Sequence, residues 1–290
     1  MRLGTVKRNG VETGAVIIKS GVVLIETMNN AFNTTWPTSL FDLINSTQLI
    51  ELNTWYKNGG ADKLEELDYI PSEQVVFGPL YRHPRKIWGI GLNYVEHAKD
   101  LSEKAPNTEP ASFMKPDTTI IGPLDTIEIP HQSERTTAEA ELGLIIGRIC
   151  KNVKEDEAIN YIAGYTTIID MTAEDILQRN PRYLTRSKSF DTFFSFGPLL
   201  VTPDEVDEVL DLNVATVING KIHRKNIVSN MTFRPWHLVS FHSKVMTMLP
   251  GDIISTGTPG AVHINDGDVV ECQIDGFETL VNKVKDLKVK

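Results

Sequence analysis

The sequence predicts an α+β fold that is mainly β, a large domain from residue 83 to 290 preceded by a small N-terminal α/β domain over residues 1–82. Three observations predict it. From Lys86 onward, short β-branched runs alternate with turn residues, and only a few helical stretches interrupt them. The first 82 residues combine β-hairpin signals with one helical pattern. No internal repeat or low-complexity tract appears, so the larger part reads as sheet with helices packed against it.

In chain order, Met1 to Thr27 carries β runs punctuated by Asn9-Gly10 and Ser20-Gly21, both suited to hairpins. "SLFDLINSTQLIELNTWY" spaces Leu40, Leu43, Ile44, Leu49 and Leu52 along one face of a single helix, which Asn58-Gly59-Gly60 stops. A Pro- and aromatic-rich loop follows, and a boundary falls near Arg82. "KIWGIGLNY" reads as a strand ending at Asn93, a helix cap for "VEHAKDLSEK". "TTAEAELGLIIG" is a strand, residues 155–161 are helical, and "GYTTIID" is a strand ending on Asp170. A helix then begins in "MTAEDILQRN", with Thr172 and Asp175 as its capping pair. "ATVINGKIHRK" turns at Asn219-Gly220, "RPWHLVSFHSKVMTML" starts a helix at Pro235, and "GDVVECQIDGFETLVNKV" turns at Asp275-Gly276.

Composition narrows the function. Apolar residues are 41% and charged ones 23%, values of an ordinary globular chain rather than a disordered or membrane-spanning one. Lys plus Arg number 29 against 38 Asp plus Glu, a net charge of −9 that argues against nucleic acid or an anionic membrane surface as partner. The N-terminus lacks the long apolar run of a signal peptide, so a cytoplasmic location is expected. Cys150 and Cys272 read as two buried free thiols.

Glu139 and Glu141 lie two apart in the "TTAEAELGLIIG" strand and therefore share a face, with Ala140, Leu142, Leu144 and Ile146 on the other. Gly143 on the acidic face is expected to keep the space beside them open. A half-exposed strand with two solvated glutamates is the plain reading. Asp170 is the third acid, a helix cap on local signals alone but also a strand-end residue that can meet the two glutamates. Three carboxylates within about 4 Å repel by roughly 4 kcal/mol per pair at an effective dielectric near 20, which a hard divalent ion relieves. An all-oxygen donor set without Cys or paired His suits Mg²⁺ or Mn²⁺ better than zinc. His97 and Asp100 are three apart, so on a helix the carboxylate can orient the imidazole. Lys188 is a cation in a stretch of Ser, Thr and aromatics, a surface lysine by default. "STGTPG", Ser255 to Gly260, closes a strand with a turn whose N–H groups and Thr258 hydroxyl suit an oxyanion, or is a plain turn.

In this order "GLNYVEHAKD", "FMKP", "AEAELGLIIG", "GYTTIIDMTAED", "KSFDTFFSFGP", "VINGKIH" and "GDIISTGTP" resemble the fumarylacetoacetate hydrolase family over about Ile87 to Val284, in particular its acylpyruvase and hydroxyhepta-dienedioate isomerase branch. The resemblance implies a mixed β-sandwich roll, a variable N-terminal domain and a homodimer. It implies Glu139, Glu141 and Asp170 as ligands of Mg²⁺ or Mn²⁺, and His97 as general base with Asp100 in place of the family's glutamate, Glu103 being a weaker stand-in. Lys188 matches the family's active-site lysine. Thr258, with Gly257, Tyr94 and Arg182, falls to substrate binding. One departure bears on substrate: the family's arginine and glutamine after the metal aspartate are here Glu174 and Leu177, so recognition of a distal carboxylate falls to Arg179, Arg182 or Arg186, with Gln178 one place off.

The activity expected is metal-dependent C–C hydrolysis of an acylpyruvate-type 2-oxo acid, the small-molecule partner, through an enolate. Oxaloacetate decarboxylation or tautomerisation and dienedioate isomerisation are the alternatives within the family. A non-catalytic relative that binds metal and a small anion is the alternative of another class.

Overall fold

The computed structural model describes residues 1–96 and 106–289 and contains two sheets. The larger, of 13 strands, runs in the order Ile70–Pro71, Gly21–Leu24, Val11–Ile18, Arg2–Arg8, Leu199–Val201, Ile162–Ala173, Thr136–Ile146, Ile253–Ser255, Ile87–Gly91, Ala111–Lys115, with three short strands paired alongside. The smaller, of five strands, runs Lys221–Ile227, Asn213–Ile218, Val269–Ile274, Leu280–Asp286, Thr126–Ile129. Among the described residues no helix is long and apolar enough to cross a membrane.

The hairpins turn where the sequence places them, except that the turn expected at Ser20-Gly21 falls one residue earlier, on Lys19-Ser20, because Gly21 already pairs with Ile18. Asn9 and Gly10 (φ 52° and 77°) and Asn219 and Gly220 (φ 51° and 75°) adopt the positive φ that a two-residue hairpin requires, and Gly276 lies in the loop joining the last two strands. The helix at Pro235–Val245 starts on its proline. A short 3₁₀ helix spans Glu155–Tyr161.

The helix expected as one piece after residue 39 is two, Leu40–Asn45 and Gln48–Trp55, because Thr47 takes φ 65° and the Ser46 hydroxyl donates back to the Leu43 carbonyl. The paired strand also runs past Asp170 to Ala173, so Asp170 sits inside it rather than at its end. Cross-strand pairing of Thr172 with Thr137 and of Ala173 with Thr136 overrides the local cap signal. The following helix, Glu174–Arg179, has no side-chain cap: Thr172 is spent in the sheet, and Asp175 accepts from Ser133 Oγ at 2.8 Å.

The strand pair Thr136–Ile146 and Ile162–Ala173 is buried throughout, not half-exposed. On one face Ala138, Ala140, Leu142, Leu144 and Ile146 pack into a core with Val214, Val270, Cys272 and Leu280 of the smaller sheet. On the other, Ile145 and Ile168 join Ile253 and Phe194 in a core closed by Leu43, Leu49 and Leu52 of the N-terminal helices. That second core crosses Arg82, as does the sheet, where Arg2–Gly4 pairs with Leu199–Val201. Both cysteines are buried and free.

Candidate metal centre

Antiparallel register sets Asp170 directly opposite Glu139 and Ile168 opposite Glu141. Side-chain alternation then brings all three acids to one face of the strand pair. One carboxylate oxygen of each lies within 4.8 Å of the others, and all three residues are buried, Asp170 completely. The space is not kept open by Gly143, as expected, because Ile168 occupies it: a Cβ on Gly143 would lie 2.5 Å from Ile168 Cδ1.

Two buried lysines enter the cluster. Lys188, ending the Leu184–Lys188 helix, donates to Asp170 Oδ2 at 2.6 Å and Glu139 Oε2 at 3.0 Å. Lys115, ending the Ala111–Lys115 strand, donates to Asp170 Oδ1 at 2.5 Å. Neutral donors fix the glutamates: Thr172 Oγ1 donates to Glu139 Oε1 at 2.7 Å, while Ser255 Oγ (2.5 Å) and the Gly257 N–H (2.7 Å) both donate to Glu141 Oε2. Among the described residues Glu141 Oε1 accepts no hydrogen bond. Phe113 forms a wall, its ring centroid 4.8 Å from Lys188 Nζ, and lies where a Cβ on Gly89 would collide with it.

The electrostatics are uneven. Burial pushes the Glu141 carboxyl up to about 8, and the charges of Asp170 and Glu139 add to the rise. Burial works against the charge of Asp170 too, but Lys115 and Lys188 outweigh it and hold that carboxyl below its usual range. Lys188 is held above the usual lysine value, its burial outweighed by Asp170, Glu139 and Glu141. Lys115 is lowered to about 8, chiefly by burial, which Asp170 only partly offsets. Three carboxylates face two ammonium groups, and the shortfall of positive charge falls on Glu141. An all-oxygen donor set in that state fits a hard divalent cation.

Of the remaining candidates, Gly257 and Tyr94 lie beside Glu141 and Arg182 does not join the cluster. Gly257 lies at the cluster, but its N–H is taken by Glu141. Thr258 is buried, and its hydroxyl is within 3.2 Å of both the N–H and the carbonyl of Gly260. Tyr94 is fully buried; among the described residues its hydroxyl has no partner, and burial with the nearby Glu141 charge raises its pKa. Asn93 ties this segment to the centre, donating from Nδ2 to the Thr256 and Phe233 carbonyls at 2.8 and 2.9 Å. Arg182 is exposed on the Pro181–Tyr183 turn, Arg186 is exposed, and Arg179 pairs with Asp175 Oδ2 at 2.8 Å. Glu174 accepts from Arg135 Nε and from Gln178 Nε2. His97, Asp100 and Glu103 lie outside the described residues. Sequence reasoning missed Lys115, whose signal was a lone cation closing "ASFMK", and Ser255 and Thr172, whose hydroxyls look like turn and cap residues until the sheet is formed.

The chain belongs to the fumarylacetoacetate hydrolase family: the family's fumarylacetoacetate (FAA) hydrolase C-terminal profile matches residues 86–285. The chain is 32% identical over 285 residues to human mitochondrial oxaloacetate tautomerase FAHD2A, covering 95% of this chain and 86% of that one. Its structure is similar to maleylpyruvate hydrolase from Sphingobium sp. SYK-6 in complex with manganese(II) and pyruvate, with a TM-score of 0.80, 27% identity and 99% of both chains covered. It is also similar to 2-hydroxyhepta-2,4-diene-1,7-dioate isomerase from Mycobacterium marinum, with a TM-score of 0.73, 28% identity and 99% of both chains covered.

Proposed function

We propose that this protein is a divalent-metal-dependent enzyme of 2-oxo acids that cleaves a carbon–carbon bond in an acylpyruvate-type substrate by hydrolysis. The observation that carries the reading is the convergence of Glu139, Glu141 and Asp170 within 4.8 Å in a buried site short of positive charge. Mg²⁺ or Mn²⁺ held by these three would supply a fixed double positive charge against the carboxylate and 2-oxo oxygens of the substrate.

The chain's own groups supply the rest. Ser255 and Gly257 fix one oxygen of Glu141, and Thr172 fixes one of Glu139, so the ligand oxygens are oriented in advance. Lys188 keeps a positive charge in the site and offsets negative charge that grows on substrate oxygen. Phe113 and the burial of the strand pair exclude water from that side. His97, together with Asp100, is assigned the proton transfer that activates water for attack on the second carbonyl. The products are two acids.

A second reading within the family is keto–enol tautomerisation, which moves one proton between carbon 3 and the 2-oxo oxygen and needs no attacking water. The likeness over 285 residues to an oxaloacetate tautomerase favours it. Assays with Mg²⁺ and Mn²⁺ over acetylpyruvate, fumarylpyruvate, a hydroxyhepta-dienedioate and oxaloacetate separate the two. Release of two acids supports hydrolysis, and a change in enol absorbance without acid release supports tautomerisation. No turnover of any of them with either ion would leave the catalytic reading without support.

A further inference from the structure

The face that bears the metal centre continues outward along the same two strands. After Asp170 opposite Glu139 comes Thr172 opposite Thr137. The ladder then extends one step past the strand ends, where the Glu174 N–H donates to the Arg135 carbonyl at 2.8 Å. Alternation sets the first two pairs on one face, and the Arg135–Glu174 ion pair lies one step past the strand ends, with Arg135 four residues from Glu139, roughly 13 Å at about 3.3 Å per residue.

Two features of this row are unexplained by packing. Among the described residues the Thr137 hydroxyl, on a residue only 1% exposed, has no hydrogen-bond partner, a state that a ligand atom beside it would relieve. Arg135 is bonded to Glu174 through Nε alone, and among the described residues its two amino groups have no acceptor. Both oxygens of Glu174, by contrast, are engaged, with Arg135 on one and Gln178 Nε2 on the other at 3.1 Å. An arginine gripped at Nε, with a half-exposed side chain, presents a planar fork of donors matched to a carboxylate.

We propose that Arg135, positioned by Glu174, receives the distal carboxylate of an extended 2-oxo dicarboxylic acid whose 2-oxo end lies at Glu139, Glu141 and Asp170, the chain passing over Thr137. The inference rests on the function proposed above and names its substrate class. At about 1.1–1.2 Å per bond a four-carbon backbone covers roughly 3.5 Å of the row and a six-carbon one roughly 6 Å, so a longer diacid brings its distal carboxylate nearer the Arg135 fork. Glu174 thus removes the family's cation from one strand of the pair, and Arg135 restores it on the other.

The test is calorimetric titration of the Mn²⁺-saturated protein with 2-oxoadipate and 2-oxohexanoate, which match in length and differ in the distal carboxylate. The unmutated protein should bind the diacid at least tenfold more tightly. Arg135→Ala should erase that preference while leaving 2-oxohexanoate within about twofold. Glu174→Gln should weaken the diacid alone, by less than Arg135→Ala does, and Arg135→Lys should restore part of the loss. An unmutated protein that binds both acids equally, or an Arg135→Ala protein that loses both equally, overturns the inference and leaves the proposed function standing. Failure of both acids to bind overturns the two together.

Discussion

Glu141→Gln and Asp170→Asn should push stability in opposite directions without added metal, yet both should abolish its response to metal. A ligand present at 100 times its Kd stabilises the folded state by about 2.7 kcal/mol. At roughly 2.1 cal/mol/K per residue, 290 residues unfold with an entropy of about 0.6 kcal/mol/K, so a working site gives a rise in Tm of about 4 °C. Glu141→Gln removes a carboxylate that its neighbours repel and keeps an oxygen for Ser255 and Gly257, so in chelator its Tm should equal or exceed that of the unmutated protein. Asp170→Asn strips the countercharge from Lys115 and Lys188 and should cost about 3–5 kcal/mol, or roughly 5–8 °C. The same acid sets a pH dependence. Glu141 in the fold keeps its proton to about pH 8, whereas in the unfolded chain it gives it up near 4.5, so between these values the unfolded state binds fewer protons. Chelated protein therefore loses stability as pH rises through that window, and Glu141→Gln should flatten the loss. Differential scanning fluorimetry from pH 5 to 9, with chelator or Mn²⁺, reads every term. A metal-induced rise of undiminished size in both variants, or a fall in chelated Tm as large for Glu141→Gln as for Asp170→Asn, would refute the charge argument.

Two further substitutions and one truncation test the scaffold around the centre. Gly143→Ala places a Cβ 2.5 Å from Ile168 Cδ1 and 2.8 Å from Thr166 Cγ2, and should lower stability by about 1–3 kcal/mol in a chemical denaturation curve. Gly257→Ala meets both a φ of +99° and a Cβ contact of 2.8 Å to Asn93 Cβ; by displacing the N–H that holds Glu141, it should weaken Mn²⁺ binding by calorimetry more than it lowers Tm. Removing residues 1–82 uncovers Ile145, Ile168, Ile253 and Phe194, and the remaining chain should be recovered as aggregate in a solubility assay.

Much of the centre was legible because strands obey a two-residue period. Glu139 and Glu141 had to share a face whatever lay around them, and Asn219-Gly220 had to turn because few other pairs accept positive φ twice. What lay hidden depended on pairing between distant segments. Lys115 acquires its role only from Asp170, 55 residues away, and a lysine in "ASFMK" carries no mark of that contact. Thr172 looks like a cap until the ladder with Thr136–Ile146 claims it and turns its hydroxyl onto Glu139. The acidic strand looked half-exposed because polar alternation was the only guide, whereas burial comes from N-terminal helices packing on its far half and from the lysines filling the near one. The break at Thr47 is likewise set by backbone strain that a pattern of leucines does not register.

A buried knot of five charged groups is a poor way to stabilise a fold, since well-packed apolar residues of similar volume usually serve as well or better. This one is also incomplete. The lysines satisfy Asp170, while Glu141 is held in place by Ser255 and Gly257 and burdened by its neighbours' charge. Fixed donors that aim a carboxylate into a cluster where it cannot comfortably ionise make sense when a further positive charge completes the set. A bound divalent cation would relieve that strain, and the two lysines lower the net negative charge enough for the chain to fold around the three acids.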